Sequence, residues 1–337
     1  MLTLPRFAFV QPQSIDEALA HLGEHAAQSL IVAGGTDAVP NLKHRLHEPR
    51  FVVHIGRLRE LHHVRHEPDG LHLGALVTLS ELAAEPRIGR EFPSLTKAAG
   101  LVAGPQLRNM GTLGGNLCLD TRCTYYNQTY FWREALGFCL KKSGTLCHVV
   151  PAGKRCVAAH SSDVAPVLIT LEAEVEIATP PKAPGVTGGA RRRISVDEFF
   201  VADGIHNNVL VPGEIVTGVF IPARSRGLAA GYQKLRPRAA IDFPMLSVAF
   251  SARLEQGACA DARLVVSALG AKPRVIGGLD ALVQGRPLDE AAAGRIAEAA
   301  YKQCHPLINV PYDHDYRREM VPVFVRRAVR EAAGGRA

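Results

Sequence analysis

The chain contains 337 residues, and its 47% hydrophobic and 21% charged content is that of a globular protein, which excludes a disordered or fibrous chain. A chain of this length predicts two or three domains, and the absence of an apolar stretch of about 18 residues excludes a transmembrane helix. The net charge of +7 is not gathered into a recognisable nucleic-acid module, so it favours an anionic ligand or an acidic partner protein over nucleic acid.

The first predicted elements form a small β-α-β-like unit. Ser14 and Glu17 have the spacing of a capping pair, and the apolar residues around them predict an amphipathic helix over residues 12–24. Short apolar runs at residues 29–32 and 51–55 predict two buried strands. The N-terminus lacks the apolar run of a secretion signal, so we expect a cytoplasmic protein.

A glycine-containing turn follows the first of these strands. Residues 33–37 read Ala-Gly-Gly-Thr-Asp, and we call them the first glycine loop. Glycines allow backbone N–H groups to approach an anion without interference from a Cβ atom. The stretch does not match the G-x-G-x-x-G dinucleotide fingerprint, and by itself a plain turn is the simpler interpretation.

A second loop of the same kind follows a predicted helix over residues 94–103. Residues 109–116, Asn-Met-Gly-Thr-Leu-Gly-Gly-Asn, combine glycines with hydroxyl and amide donors, and we call them the second glycine loop. Two such loops in one chain suit a ligand with two phosphates. Asp163, in Ser-Ser-Asp-Val-Ala-Pro, could accept hydrogen bonds from ribose or ribityl hydroxyls, although a helix-cap or turn role is equally simple.

The rest of the chain alternates strand-like and helical runs. A domain boundary is expected near residues 223–228. Strands are predicted over residues 168–177, 214–221, 246–254 and 262–269. Helices are predicted over residues 289–304 and 316–333.

Five of the seven cysteines lie within residues 118–156. Four of them, Cys123, Cys139, Cys147 and Cys156, form the pattern C-x15-C-x7-C-x8-C, which lacks the tight pairs of a zinc ribbon. Such thiolates among aromatic residues can hold an iron–sulfur cluster, and neighbouring lysines and arginines would offset its negative charge. Buried free thiols and a zinc site remain alternatives. Cys118 is expected to be a packing residue. The basic residues are Arg122, Arg133, Lys141, Lys142, Lys154 and Arg155.

Taken together, four stretches resemble the FAD-binding medium subunit of the molybdenum hydroxylases, the xanthine oxidase and carbon monoxide dehydrogenase group. They are AGGTD (33–37), TLGGN (112–116), SSDVAP (161–166) and YQKLRPRAAIDFP (232–244), and they extend over nearly the whole chain. Residues 118–156 resemble the extra loop of the 4-hydroxybenzoyl-CoA reductase β subunit, which carries a 4Fe-4S cluster. The resemblance implies Cys123, Cys139, Cys147 and Cys156 as its ligands.

The resemblance implies an α+β fold with two FAD-binding subdomains of the PCMH/VAO type and a C-terminal α+β domain that contains an antiparallel sheet. The implied limits are residues 1–56, residues 57–223 with an inserted iron–sulfur loop at 118–160, and residues 229–337. The implied FAD contacts are Val32, Ala33, Gly34, Gly35, Thr36, Asp37, Val102, Gly111, Thr112, Leu113, Gly114, Gly115, Asn116, Thr124, Asp163 and Lys234.

The same resemblance implies an electron-transfer subunit without catalytic residues of its own. Ferredoxin would supply electrons through the 4Fe-4S cluster and FAD to a small 2Fe-2S subunit and a large molybdenum-cofactor subunit, in a dimer of heterotrimers. The large subunit would reductively remove the phenolic hydroxyl of 4-hydroxybenzoyl-CoA. The alternatives are a flavin subunit of an aldehyde or N-heterocycle molybdenum hydroxylase and, in another class, a zinc-stabilised binding module. Neither nucleic acid nor a membrane is an expected partner.

Overall fold

Successive parts of the chain form three separate sheets. The computed structural model describes residues 2–181 and 189–334, and its strands form three sheets within these ranges. The proposed domains at 1–56, 57–223 and 229–337 each contain one sheet, while their exact limits stay a prediction.

The first sheet is parallel, and its strands lie in the order Ala8–Val10 (β1), Phe51–His54 (β3) and Ser29–Val32 (β2). Ser14 caps the predicted helix by accepting a hydrogen bond from the Glu17 backbone N–H, and the helix buries its apolar face as its periodicity predicts. The three-residue edge strand β1 is too short and too exposed to be recognised from hydrophobic pattern. The elements are β1 (Ala8–Val10), α1 (Ile15–His25), β2 (Ser29–Val32), α2 (Ala38–Lys43) and β3 (Phe51–His54).

The second sheet is antiparallel, in the order β4-β5-β8-β6-β7, and several short helices pack beside it. These elements are β4 (Val64–Glu67), β5 (Gly70–Gly74), α3 (Leu79–Ala84), α4 (Pro86–Glu91), α5 (Pro93–Gly100), α6 (Pro105–Arg108), α7 (Leu113–Leu117), α8 (Tyr130–Ala135), α9 (Val164–Thr170), β6 (Glu174–Ala178), β7 (Arg191–Ser195), α10 (Val196–Phe199) and β8 (Ile215–Pro222).

The predicted strand over residues 168–177 is confirmed for residues 174–177, which lie in β6, and wrong for the residues before them. Residues up to Thr170 belong to helix α9, every residue of which is buried, and a turn with Glu172 at φ +53° separates the helix from β6. A short apolar run that is buried on all sides has no exposed face, so periodicity cannot distinguish a helix from a strand.

The third sheet is antiparallel, in the order β12-β11-β10-β9. One face packs against the two long C-terminal helices, and the other face packs against α9, a helix that lies beside the second sheet. The predicted strands and helices of this region are confirmed. The elements are β9 (Ala229–Leu235), β10 (Leu246–Glu255), β11 (Ala258–Ser267), β12 (Arg274–Val275), α11 (Asp280–Val283), α12 (Glu290–Gln303) and α13 (His314–Ala332).

The segment between residues 118 and 160 leaves the second unit as a long excursion whose helix is α8. Its two ends are joined by a pair of backbone hydrogen bonds between Arg122 and Ala159. Throughout residues 2–181 and 189–334, each helix is too short or too polar to cross a membrane.

Candidate functional site

The two glycine loops meet at the base of a cavity of about 360 Å³. A Cβ atom at Gly34 would lie 1.7 Å from the Met110 carbonyl oxygen, so the loops approach each other at a distance that only glycine permits. Gly35 adopts φ +71°, a conformation that also favours glycine. We call the space between the loops the interloop cavity.

The interloop cavity brings together most of the predicted FAD contacts. Its lining includes backbone of both glycine loops, and a polar cradle of this kind is suited to the phosphates of a nucleotide. The predicted residues that line it are Val32, Ala33, Gly34, Gly35, Thr36, Asp37, Val102, Gly111, Thr112, Gly115, Asn116 and Asp163.

Four predicted contacts are placed elsewhere. Leu113 and Gly114 are buried in α7, where Gly114 allows the helix to lie close to Ala75. Thr124 is exposed, and its backbone N–H donates to the Asn309 carbonyl, so the expectation that it lines the cavity is corrected. The chain turns away from the cavity after Cys123. Lys234 does not line the cavity, and its ammonium pairs with Asp163, which does.

The second glycine loop is coupled to the Ser-Ser-Asp stretch by side-chain hydrogen bonds. Thr112 caps α7, its Oγ1 accepting from the Gly115 N–H at 3.1 Å. Asn116 Oδ1 accepts from the Ser162 hydroxyl at 2.7 Å and from the Val164 N–H at 3.3 Å. These bonds fix the position of the residue between them, Asp163, at the cavity edge.

Asp163 belongs to a buried polar cluster that joins the cavity to the third sheet. Its carboxylate accepts from the Tyr232 hydroxyl at 2.7 Å and pairs with Lys234 Nζ at 2.8 Å. The Lys234 and Asp163 side chains are 1% and 3% exposed. Burial raises the pKa of Asp163, and its two partners oppose that shift because both stabilise the charged carboxylate. Tyr232 and Lys234, which lie on one face of β9, thus hold the Asp163 carboxylate beside the cavity.

Residues that sequence reasoning did not assign to the cavity complete its wall. Arg122 forms an ion pair with Asp37, and its guanidinium stacks on the Phe243 ring at 4.3 Å. Burial lowers the pKa of Arg122 to about 10. Because Arg122 directly precedes a predicted ligand, the sequence suggests that its side chain offsets the charge of the cluster. In the structure, the Arg122 side chain lines the interloop cavity instead. The other additional lining residues include Asn41, His47, Asp120, Ile241 and Asp242.

The four predicted metal ligands converge. Cys123, Cys139, Cys147 and Cys156 are all buried and line one small cavity, which we call the cysteine cage. Cys118 lies instead in the wall of the interloop cavity, while Cys259 and Cys304 are buried in the core of the third unit. The cage therefore contains the same four residues that the spacing and the family resemblance indicate.

The cage sulfurs do not form a closed mononuclear metal site in this structure. Tetrahedral zinc, with Zn–S bonds of about 2.3 Å, would place its thiolates roughly 3.8 Å apart. Among the described residues, no three of the cage sulfurs lie within 4.8 Å of one another.

Hydrogen bonds and burial set the environment of the cage sulfurs. The Val150 N–H donates to Cys147 Sγ at 3.4 Å and the Ala158 N–H to Cys156 Sγ at 3.5 Å, and such bonds tune iron–sulfur clusters. Burial raises the pKa of the Cys123 thiol to about 11, and the neighbouring cage thiols add to the shift. Burial thus disfavours the charged form of the Cys123 thiol, and a bound metal would favour it.

The cage and the interloop cavity share one short segment of chain. Asp120 lines the interloop cavity, and its carboxylate accepts from the Tyr126 hydroxyl at 2.9 Å and from Lys141 Nζ at 2.6 Å. Tyr126 and Lys141 both line the cage. The two binding features are thus adjacent.

Comparison with known proteins agrees with this geometry. A family model described as the FAD binding domain in molybdopterin dehydrogenase matches residues 5–224, and one described as the CO dehydrogenase flavoprotein C-terminal domain matches residues 231–332. Together they cover both the interloop cavity and the third sheet.

Individual relatives extend over most or all of the chain. It is 26% identical to the carbon monoxide dehydrogenase medium chain of Hydrogenophaga pseudoflava, over 97% of each chain. It is 33% identical to the aldehyde oxidoreductase FAD-binding subunit PaoB of Escherichia coli K12, over 65% of this chain and 69% of that one. The solved carbon monoxide dehydrogenase from Hydrogenophaga pseudoflava matches with a TM-score of 0.78 and 25% identity, covering 99% of this chain and 100% of that chain.

Proposed function

The chain belongs to the FAD-binding medium subunits of the molybdenum hydroxylase family, and we propose that it is the FAD and 4Fe-4S electron-transfer subunit of a 4-hydroxybenzoyl-CoA reductase. The observation that carries the proposal is the convergence of four buried cysteines beside the interloop cavity. An oxidoreductase subunit with FAD is the family assignment. The cluster, the substrate and the partners are the proposal.

The interloop cavity fits FAD through residues of this chain alone. A Cβ atom at Gly34 would collide with the opposite loop. In the second glycine loop, the N–H groups of Gly111, Gly114 and Gly115 already donate to Leu107, Ala75 and Thr112. We therefore assign the pyrophosphate to the backbone amides of the first glycine loop, with the second loop forming the opposite wall. Asp163, with Lys234 behind it, lies at the cavity edge and is assigned to the ribityl or isoalloxazine part. Because Lys234 keeps the carboxylate charged and fixed, Asp163 presents a hydrogen-bond acceptor that does not need to reorganise.

The cysteine cage fits a 4Fe-4S cluster through its donor set of four thiols and through their burial. When bound, a 4Fe-4S cluster exchanges single electrons and FAD exchanges one or two, so a chain holding both can connect one-electron donors with a two-electron reduction. The residues of the cage hold the four sulfurs apart, exclude water and donate two N–H groups to sulfur.

The family also supports a multisubunit setting. The relatives named above are a medium chain and a FAD-binding subunit, which are parts of larger enzymes. We propose a small 2Fe-2S subunit and a large molybdenum-cofactor subunit as partners, in a dimer of heterotrimers. The large subunit would remove the phenolic hydroxyl of 4-hydroxybenzoyl-CoA.

The decisive experiment is a cofactor analysis of the complex purified without oxygen. Iron, acid-labile sulfide, zinc and FAD are counted, with an ultraviolet–visible spectrum before and after reduction. About four irons and one FAD per copy of this chain, beyond the irons of the small subunit, support the proposal. FAD without the additional iron would remove the cluster from it. One zinc in the cage would restore the zinc alternative.

A second candidate is the flavin subunit of an aldehyde or N-heterocycle hydroxylase. It is favoured by similarity to PaoB and to the nicotine 6-hydroxylase medium subunit of Paenarthrobacter nicotinovorans, which is 26% identical over 98% of this chain. The purified complex is assayed with 4-hydroxybenzoyl-CoA plus reduced ferredoxin, and separately with aromatic aldehydes and N-heterocycles plus an electron acceptor. Turnover confined to the second assay would favour this candidate.

Ferredoxin as the electron donor predicts a basic docking surface beside the cage. Lys154 and Arg155 are exposed and directly precede Cys156. Lys141, by contrast, has a side chain only 5% exposed and paired with Asp120, so it does not contribute to this surface. Docking by charge raises association rates and weakens with salt.

The docking proposal is tested with paired charge reversals. Lys154→Glu/Arg155→Glu is expected to raise the KM for ferredoxin about tenfold or more at low salt and to flatten its salt dependence. Arg90→Glu/Arg286→Glu, at exposed positions in other parts of the chain, is the matched control. Equal KM values for both variants would exclude this surface.

A further inference from the structure

Arg133 is a buried cation without a carboxylate partner. Its residue is 2% exposed, and its guanidinium donates to the backbone carbonyls of His44 at 2.9 Å, Arg45 at 3.2 Å and Gln128 at 3.4 Å. Within residues 2–181 and 189–334, it forms no ion pair. Carbonyl oxygens satisfy its N–H groups but do not neutralise its charge.

A buried charge of this kind is expensive to fold unless a charge of opposite sign lies nearby. Two sources of negative charge lie near Arg133: Glu48, whose exposed carboxylate is already paired with Arg45, and the cysteine cage. The Phe138 N–H donates to the Arg133 carbonyl at 2.7 Å, the Arg133 guanidinium lies 5.8 Å from the Phe138 ring centre, and Cys139 is the next residue. A cage of thiolates around a metal cluster would supply the missing negative charge.

The other buried cation at the cage differs in this respect. Lys141 lines the cage, whereas Arg133 lies behind Phe138 and Cys139, and the Lys141 ammonium is paired with Asp120 at 2.6 Å. The pair carries no net charge, so its field at the cage is that of a dipole. Arg133 therefore differs from Lys141 in that no carboxylate pairs with its charge.

We propose that Arg133 is a positioning residue that sets the reduction potential of the metal cluster held by the cage. The inference rests on the proposed function, because it requires a cluster in the cage. Reduction by one electron, supplied by the donor protein or by dithionite, adds one negative charge to the cluster without breaking a bond. A fixed positive charge stabilises the reduced form more than the oxidised form and so raises the midpoint potential.

The primary test compares Arg133→Gln with Arg45→Gln in the intact complex. Arg45 is a neighbour that loses the same charge on substitution, but it is partly exposed and paired with Glu48. Iron, sulfide and FAD are counted first, and each cluster is then titrated with dithionite while electron paramagnetic resonance follows its reduction. We expect a shift to more negative potential in Arg133→Gln, almost no shift in Arg45→Gln, and unchanged 2Fe-2S centres.

A second pair of variants avoids the risk that a buried substitution prevents folding. Tyr130 and Phe131 are 45% and 79% exposed on α8, and the Tyr130 ring lies 5.8 Å from the Arg133 guanidinium. Tyr130→Glu places a carboxylate beside Arg133, whereas Phe131→Glu adds the same charge in solvent. We expect the more negative shift in Tyr130→Glu.

The outcomes separate the two proposals. A cage without iron in the wild-type complex refutes the proposed function and this inference with it. A cage with iron whose potential is the same in wild type, Arg133→Gln and Tyr130→Glu refutes the inference alone. A shift of equal size in Phe131→Glu and Tyr130→Glu would also overturn it, because the effect would then not depend on Arg133.

Discussion

Replacing Lys234 by methionine should strongly destabilise the chain by leaving the Asp163 carboxylate unpaired in the interior. Both side chains are almost fully buried, at 1% and 3% exposure, so solvent screening does little to reduce the effect. Removing one partner of a buried ion pair typically costs about 3–5 kcal/mol. The Tyr232 hydroxyl remains on Asp163 and places the expected loss near the lower end of that range.

The double variant Asp163→Asn/Lys234→Met provides the matched comparison. It removes both charges, keeps a carbonyl oxygen that can accept from Tyr232, and preserves most of the buried volume. Since neutral replacement of a whole buried pair is often nearly without cost, we expect the double variant to be within about 1–2 kcal/mol of wild type. A double variant more stable than the single variant is a direct sign of the unpaired charge.

The pH dependence of the single variant follows from the same pair. Burial raises the folded-state pKa of Asp163, and loss of the Lys234 ammonium raises it further. Between the unfolded pKa of about 3.9 and that raised value, the folded variant binds more protons than the unfolded chain. Its stability therefore increases as pH falls through the raised pKa, and the difference from wild type becomes smaller in acid.

The assay is urea unfolding of the FAD-loaded chain followed by far-ultraviolet circular dichroism at several pH values. FAD affinity is measured by fluorescence on the same samples, because Asp163 lines the interloop cavity. The reasoning is refuted if Lys234→Met loses less than about 1 kcal/mol near pH 7, or if the double variant is no more stable than the single one.

Three glycine substitutions test close approaches in other places. Gly34→Ala should lower FAD affinity at least tenfold, because the added Cβ would force the glycine loops apart. Fluorescence titration measures the affinity. The control is Gly89→Ala, which has space at its Cβ and should bind FAD normally. Gly204→Ala should lose iron from the cage, because the new Cβ would lie 2.7 Å from Cys156 Sγ; full iron content would contradict this. Gly294→Ala, inside α12 with open space around it, should stabilise the chain by about 0.5–1 kcal/mol, seen as a higher Tm.

Elements with clear local patterns could be predicted from the sequence. The capped helix at Ser14, the long helix α12 and strand β10 all follow from periodicity and end signals that a few neighbouring residues provide. The four cage cysteines and the two glycine loops were likewise identified from composition, spacing and family resemblance, since the chemistry of these sites depends on residue type. The sequence by itself thus determined the kind of protein and the main binding segments.

Contacts between distant segments were decided only by the tertiary structure. Nothing local places Tyr232 on Asp163, or shows that Arg122 faces the interloop cavity while Arg133 is buried near the cage. The same limit explains the error at α9, whose apolar residues are buried on every side. Burial and long-range partners determine the charge, the pKa and the orientation of a polar side chain, and these depend on elements that pack together only after the chain has folded.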